Sequence, residues 1–201
     1  MRAVWVHLPF RRSGSLPLLN LILLSAALVA SALAIGGALY FASAPPAAPT
    51  SVQQLTLTVN VVPGTDHTYF SPGNLTLRTG VVRITIVDYD TVAAQGPPMA
   101  GQVRGLMGGT ETVHFSLAAA PVLLSSMNSN DIAHTFSVAD GTYYDINAPV
   151  PVAAGPGAPS QVTFLVYFAH PGEFTWWCGA VCGFMPMSPG GGMAGTLTIT
   201  S

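Results

Sequence analysis

Short runs in which apolar and polar residues alternate restrict the fold of this chain more than any other feature. In Gln54–Val61 the apolar residues occupy every second position. A period of two places apolar side chains on one face of a β-strand, whereas an amphipathic helix needs a period near 3.6. Further runs lie at residues 82–86, 113–117, 132–138, 162–168, 174–177 and 196–200, separated by turns that contain Gly or Pro. Many short strands joined by such turns predict an all-β sandwich.

A second feature is the uncharged, almost wholly apolar segment at residues 18–42. It is long enough to span a bilayer, which takes about 20 such residues, and longer than the apolar core of a secretory signal. Arginines precede it and none follows closely, so the positive-inside rule places residues 1–17 in the cytoplasm. We therefore expect a single-pass protein of the cell membrane with an extracytoplasmic C-terminal domain. The alternative is a cleaved signal peptide ending near Ala44, which leaves the domain in the same compartment.

Charge is scarce along the whole chain. Charged residues make up 7% of the sequence, there is no lysine, and the first twelve residues hold three of the six arginines. The remaining chain is mildly acidic, and nucleic-acid binding needs clustered Lys and Arg, so we expect no nucleic-acid partner. Residues 43–53 are rich in Pro and Ala and predict an extended linker. The domain then covers residues 54–201, with a Gly/Pro-rich insertion loop at 91–110.

The two cysteines stand in the pattern Cys178-x-x-x-Cys182, in a stretch rich in methionine. Two thiolates on one loop can bind the same soft metal, and copper(I) prefers thiolate and thioether ligands. His134 lies on the inward face of a predicted strand, where an imidazole needs a hydrogen-bond partner or a metal. Two simpler interpretations stay open. Outside the cytoplasm the cysteines are as readily a disulfide, and an inward histidine is commonly a hydrogen-bonded core residue.

The order of these features resembles the cupredoxins, and among them the binuclear copper (CuA) domain of haem-copper (cytochrome c) oxidase subunit II. The resemblance covers residues 54–201. It rests on Phe70–Ile86, Asn130–Val138, Ala169–Gly183 and Met193–Ile199. The resemblance implies a cupredoxin-like Greek-key β-sandwich, here with one N-terminal transmembrane helix.

The resemblance also implies a role for each motif residue. Cys178 and Cys182 would bridge two copper ions, and His134 would bind one of them. Met193 would be a weak axial ligand, and Ala180 would contribute its backbone carbonyl.

One ligand of the family pattern is missing. The family has a second histidine shortly after the second cysteine, but the segment after Cys182 contains none. We predict that Met187 occupies or approaches the vacant position, because Pro186 and Pro189 restrict its direction. A thioether there would make the site richer in sulfur. If no methionine fills the position, His170, His114 or His67 would have to supply the ligand from elsewhere. The other alternative is that Met185 and Met187 form a docking surface for a partner protein.

The function implied by the resemblance is electron transfer. Copper in the domain would take electrons from an external donor protein and pass them to a haem-bearing oxidase subunit I in the membrane. The chain would then be a non-haem subunit of a cytochrome c oxidase-type terminal oxidase in a respiratory chain, not catalytic alone. Two alternatives remain: an extracytoplasmic copper-binding or copper-delivery protein, and a metal-free structural cupredoxin with a Cys178–Cys182 disulfide.

Overall fold

A computed structural model of the chain describes residues 51–65, 67–94, 97–180 and 192–201. Residues 18–42, the predicted membrane anchor, lie outside the described residues, as do Cys182 and Met187. Within the described ranges, no helix is long and apolar enough to cross a membrane. The anchor therefore stays a prediction, as does the topology derived from it.

Strands dominate the described part of the chain, and the predicted all-β class is confirmed. The strands β1 to β11 are, in order, Gln53–Val61, Thr68–Ser71, Leu75–Arg78, Gly80–Asp88, Glu111–His114, Val122–Leu124, Ile132–Ala139, Asp145–Pro151, Ser160–Phe168, Gly172–Trp177 and Ala194–Thr200. Short 3₁₀ turns lie at Pro98–Gly101, Met107–Gly109 and Ser129–Asp131.

The strands form two sheets packed as a sandwich. The six-stranded sheet has the order β2-β1-β4-β9-β5-β6, and the five-stranded sheet has the order β3-β11-β10-β7-β8. Most neighbouring strands are antiparallel, but β1 pairs with β4 and β3 with β11 in parallel. The chain crosses from one sheet to the other after β2, β3, β6, β8 and β9. Residues distant in sequence are thereby brought to the same end of the sandwich.

The core lies between the two sheets, where the alternation of the sequence directs the apolar side chains. Leu57 and Ile84 come from the six-stranded sheet, Phe136 and Trp176 from the five-stranded sheet, and all four are fully buried. Burying one such side chain contributes about 1.5–3 kcal/mol. One predicted run was wrong at its end: β5 stops at His114, its last residue paired with β9, and Phe115 and Leu117 beyond it are exposed.

β7 and β8 are buried on both faces, which alternation does not predict. The reason is the part of the Gly/Pro-rich loop at residues 97–110, which packs against this edge of the sheet. Arg104 bridges to Asn147 of β8 through two backbone hydrogen bonds, each 3.0 Å long, and Gln102 bridges to Ser126. Gly105 has a φ of 66° and lies so close to the Asp145 carbonyl that a Cβ would not fit. The insertion therefore covers the edge strand β8.

Candidate metal site

His134 lies on the inward face of β7, as predicted, and is 2% exposed. A bulge between Ile132 and His134 interrupts the register with β8 at this point. The Phe70 ring of β2 meets the imidazole edge-on, with ring centroids 6.0 Å apart. The imidazole is therefore held in an apolar environment on its flank.

Asp90, two residues after β4, contacts the outer nitrogen of this imidazole. Its Oδ2 lies 3.1 Å from His134 Nε2, and its Oδ1 accepts the Val92 N–H at 2.9 Å. Burial opposes ionisation of Asp90, but the hydrogen bonds from His134 and Val92 outweigh it, so the pKa of Asp90 lies below its ordinary value. An ionised carboxylate only accepts hydrogen bonds, so Nε2 carries the shared proton. In the neutral imidazole the lone pair is then on Nδ1, the nitrogen that faces Cys178.

Cys178 directly follows β10 and is fully buried. Its Sγ lies 4.0 Å from His134 Nδ1 and 3.7 Å from the Ala180 carbonyl oxygen. The backbone N–H of Thr135 points at the same sulfur, with a nitrogen–sulfur distance of 3.5 Å. Three residues that the resemblance assigns to copper, His134, Cys178 and Ala180, are thus brought together where β10 ends beside β7.

The oxidation state of the sulfur bears directly on what this site can bind. Cys178 is disulfide-bonded in this structure, and Cys182, the other cysteine of the chain, lies outside the described residues. A metal binds the thiolate form of cysteine. Copper ligation by Cys178 therefore requires reduction of the disulfide by two electrons.

The donor atoms and their spacing fit a soft metal once the sulfur is a thiolate. Metal–thiolate and metal–imidazole bonds of about 2.3 and about 2.0 Å sum to about 4.3 Å, more than the 4.0 Å that separates Cys178 Sγ from His134 Nδ1. One ion can therefore contact both atoms, and this pair of ligands suits copper. No three His, Cys, Asp or Glu side chains of the described residues are grouped to hold a metal. The proposed set also uses a carbonyl and a thioether.

Met193, immediately before β11, is 1% exposed. It lies beside Cys178 because β11 pairs with β10, the strand that Cys178 follows. Its carbonyl accepts the Cys178 N–H at 2.8 Å. Its Sδ is 3.6 Å from the Thr68 hydroxyl, which donates to it. The structure thus places Met193 beside the site, with its thioether contacting Thr68. The predicted ligands Cys182 and Met187 remain predictions, since they lie outside the described residues.

Two carboxyl groups near His134 were missed by the sequence analysis. Besides Asp90, Asp88 at the end of β4 is fully buried, and its Oδ1 accepts the Asp90 N–H at 2.8 Å. Burial raises the pKa of Asp88 to about 7, and its Oδ2 has no hydrogen-bond partner among the described residues. A signal was present: in a chain with eight acidic residues, two stand close together at the end of one buried strand.

Comparison with known proteins gives no sequence relatives, because neither a family model nor a curated protein matches. Among solved structures, the copper protein rusticyanin from Thiobacillus ferrooxidans is 13% identical, with 75% of this chain and 79% of that chain covered and a TM-score of 0.37. Auracyanin B is 16% identical over 76% and 93%, with a TM-score of 0.31. A multi-copper oxidase from Pediococcus acidilactici is 9% identical over 79% and 28%, with a TM-score of 0.36. TM-scores and sequence identities this low assign neither a family nor a ligand to this chain.

Proposed function

We propose that residues 54–201 form a cupredoxin-type, copper-binding electron-transfer domain. The observation that carries the proposal is the convergence of His134 Nδ1, Cys178 Sγ and the Ala180 carbonyl, with Asp90 directing the imidazole. These residues match the positions that the family resemblance assigns to ligands. Bound copper would supply a one-electron redox centre.

The surroundings of the donors suit a centre that changes charge without changing shape. Asp90 holds His134 from one side, and the Phe70 ring packs against it from another. The Thr135 N–H points at the Cys178 sulfur, where it would offset part of the negative charge of a thiolate. Donors fixed by neighbouring strands keep their places when an electron arrives or leaves.

The finer proposal is a subunit II-like role in a respiratory haem-copper oxidase. The segment 18–42 would anchor the domain at the outer face of the cell membrane. An external electron-donor protein would reduce the copper, which as a CuA-like centre would hold two ions, and a haem-bearing subunit I would accept the electrons. Support for this part is the apolar segment and the motif order in residues 130–199.

The disulfide at Cys178 favours a second candidate, a metal-free structural domain. In that case the disulfide would be a structural cross-link, as disulfides commonly are outside the cytoplasm. Asp90 would then serve only to satisfy a buried histidine.

Copper loading of the full-length protein in detergent decides between these functions. After reduction and anaerobic reconstitution we expect two copper ions per chain and a mixed-valence two-copper spin resonance signal. Cys182→Ser should abolish stable binding and His134→Ala should weaken it, because each removes a proposed ligand. His114→Ala is the matched control, since this histidine is partly exposed on β5 and its Nδ1 lies 3.2 Å from the nearby Ala119 carbonyl oxygen.

Each rival function has its own result in this experiment. Bound copper(I) without the mixed-valence signal would indicate copper storage or delivery. A wild-type protein that binds no copper after reduction, and that re-forms its disulfide in air, would contradict the electron-transfer proposal and support the structural one.

A further inference from the structure

A chain of hydrogen bonds among buried side chains lies on the outer face of β7 and β8, behind the candidate metal site. Thr135 and Ser137 are on this face of β7, alternating with the inward His134 and Phe136. Asn147 of β8 is the cross-strand partner of Ser137. Thr135, Ser137 and Asn147 are 0%, 5% and 3% exposed, so their polar groups depend on protein partners.

One end of this chain of hydrogen bonds reaches the insertion. Asn147 Nδ2 donates to the Ala100 carbonyl at 3.0 Å and to the Gln102 carbonyl at 2.6 Å. The backbone of Asn147 also pairs with Arg104 in both directions. Asn147 therefore binds the insertion with its side chain and with its main chain.

The other end reaches the turn that carries Cys178. Ser137 donates its hydroxyl hydrogen to Asn147 Oδ1 at 2.8 Å, and its Oγ lies 3.0 Å from Thr135 Oγ1. Since the Ser137 hydrogen is used, the Thr135 hydroxyl is the donor to Ser137. Thr135 Oγ1 then accepts the Gly179 N–H at 2.5 Å. All hydrogen bonds in the series therefore point the same way, from Gly179 toward the insertion, and hydrogen bonds aligned in this way reinforce one another.

Gly179 is the residue that lets the turn approach these hydroxyls. A Cβ at this position would lie 3.1 Å from Ser137 Oγ and 3.2 Å from Thr135 Oγ1. The next residue toward β10 is Cys178, whose sulfur receives the backbone N–H of the same Thr135. The position of Sγ therefore depends on how firmly Thr135 holds Gly179.

We infer that Asn147 is a positioning residue that couples the insertion segment 100–104 to the Cys178 turn, through Ser137 and Thr135. Its relevance to a metal rests on the proposed function, but the coupling itself is a property of the protein alone. A partner or ligand that shifts segment 100–104 would alter the Cys178 environment without touching any proposed ligand. Removal of the Asn147 amide leaves the carbonyls of Ala100 and Gln102 without this donor, which loosens the segment although its backbone hydrogen bonds to Asn147 remain.

Amide hydrogen exchange of the full-length protein in detergent tests the coupling in the absence of metal. Asn147→Asp keeps the shape of the side chain and the acceptor for Ser137 but replaces the donor to the two carbonyls. We expect Gly179 and Thr135 amides to exchange at least about tenfold faster, while amides of β4 and β9 keep their rates. Asn130→Asp is the matched control, because Asn130 is exposed.

Ser137→Ala breaks the middle of the series with a small change of volume, and it should also accelerate exchange at Gly179. This variant keeps the test decisive if the Asn147 variant fails to fold. Gly179 exchange that stays unchanged, or that rises only together with β4 and β9, overturns the inference. In copper-loaded protein, the Asn147 variant should also shift the reduction potential. The two proposals can fail separately. If the wild type binds no copper but the Asn147 and Ser137 variants accelerate exchange at Gly179 as expected, the proposed function is contradicted and the coupling is supported.

Discussion

At the scale of single residues, the tautomer of His134 decides whether the site can bind a metal. Asp90 accepts the proton of Nε2, which leaves the lone pair of the neutral imidazole on Nδ1, the nitrogen that faces the sulfur. Metal-binding histidines commonly donate their second nitrogen to a carboxylate in this way. The same geometry also satisfies a histidine in a metal-free core, so Asp90 needs a functional test.

We predict that Asp90→Asn lowers copper affinity by about 10–100-fold. The amide of Asn has one acceptor, so it cannot accept from both Val92 and His134 as the carboxylate does. If its NH₂ group faces His134, the imidazole proton moves to Nδ1 and blocks ligation. Competition with a copper chelator measures the affinity, and nitrogen chemical shifts of His134 in the apo protein report the tautomer.

The exposed residue Asp131 provides the control for this substitution. Asp131→Asn should leave both the affinity and the His134 tautomer unchanged. Equal copper affinity in wild type and the Asp90 variant would remove Asp90 from the site.

At the scale of elements, two adjacent tryptophans show how β10 contacts both sheets of the sandwich. Trp176 is fully buried, stacks on Phe136 of β7 with centroids 5.8 Å apart, and meets Phe70 of β2 at 5.1 Å. Its Nε1 donates to the Gly73 carbonyl at 2.8 Å. Trp177, on the other face of the strand, is half-buried. Trp176 therefore ties β10 to β7 and to the turn before β3.

The two tryptophans should differ in their contribution to stability. Trp176→Phe removes the hydrogen bond to Gly73 and leaves a small cavity, so we expect the free energy of unfolding to fall by about 1–3 kcal/mol. Trp177→Phe should cost less than about 1 kcal/mol, because its surroundings are partly solvent. Urea unfolding of both variants measures the difference, and equal losses would contradict the assigned roles.

At the scale of the whole molecule, burial of acidic groups makes stability depend on pH. Glu111, the first residue of β5, is 1% exposed, and neither carboxyl oxygen has a hydrogen-bond partner among the described residues. Burial raises the pKa of Glu111 to about 9. The folded protein therefore keeps this acid protonated at neutral pH, whereas the unfolded chain ionises it near its ordinary pKa of about 4.3.

The sign of the effect follows from proton binding. Between the unfolded and folded pKa values the native state binds more protons than the unfolded state, so stability falls as pH rises, by about 1.4 kcal/mol per pH unit for a group fully in this window. At a pH below the pKa of Glu111 in the unfolded chain, both states keep the proton and the stability is not reduced by this group. Asp88, whose pKa burial raises to about 7, acts in the same direction over a lower range.

We predict that Glu111→Gln removes this part of the pH dependence. The neutral amide has no proton to lose, so the variant should gain stability relative to wild type by about 1.4 kcal/mol per unit between pH 5 and pH 8. Urea unfolding at several pH values measures the gap. Glu173→Gln on β10 is the control, since Glu173 is exposed and its curve should run parallel to wild type. A parallel curve for the Glu111 variant would contradict the prediction.

Local periodicity was enough to predict much of the fold. The runs that became β1, β4, β7, β9, β10 and β11 show alternation that needs no tertiary information, because the period of two is a property of an extended backbone. β8 was not predicted, and it contains Pro149 and Pro151, residues that a strand interior seldom holds. Only the assembled sheet shows why they are tolerated: β8 is the last strand of its sheet, and the insertion covers it.

The candidate site, like the fold, was only partly predictable from the sequence. The inward direction of His134 and the placement of Cys178 just after a strand followed from local pattern and motif order. The roles of Asp90, Thr135 and Asn147 did not, because a hydrogen bond between distant segments leaves no periodic trace in a sequence. The sequence by itself determined the strands that show clear alternation and the candidate donors. The crossing of the chain between the two sheets decided which donors meet, which carboxylate orients the histidine, and which buried polar residues hold the cysteine turn.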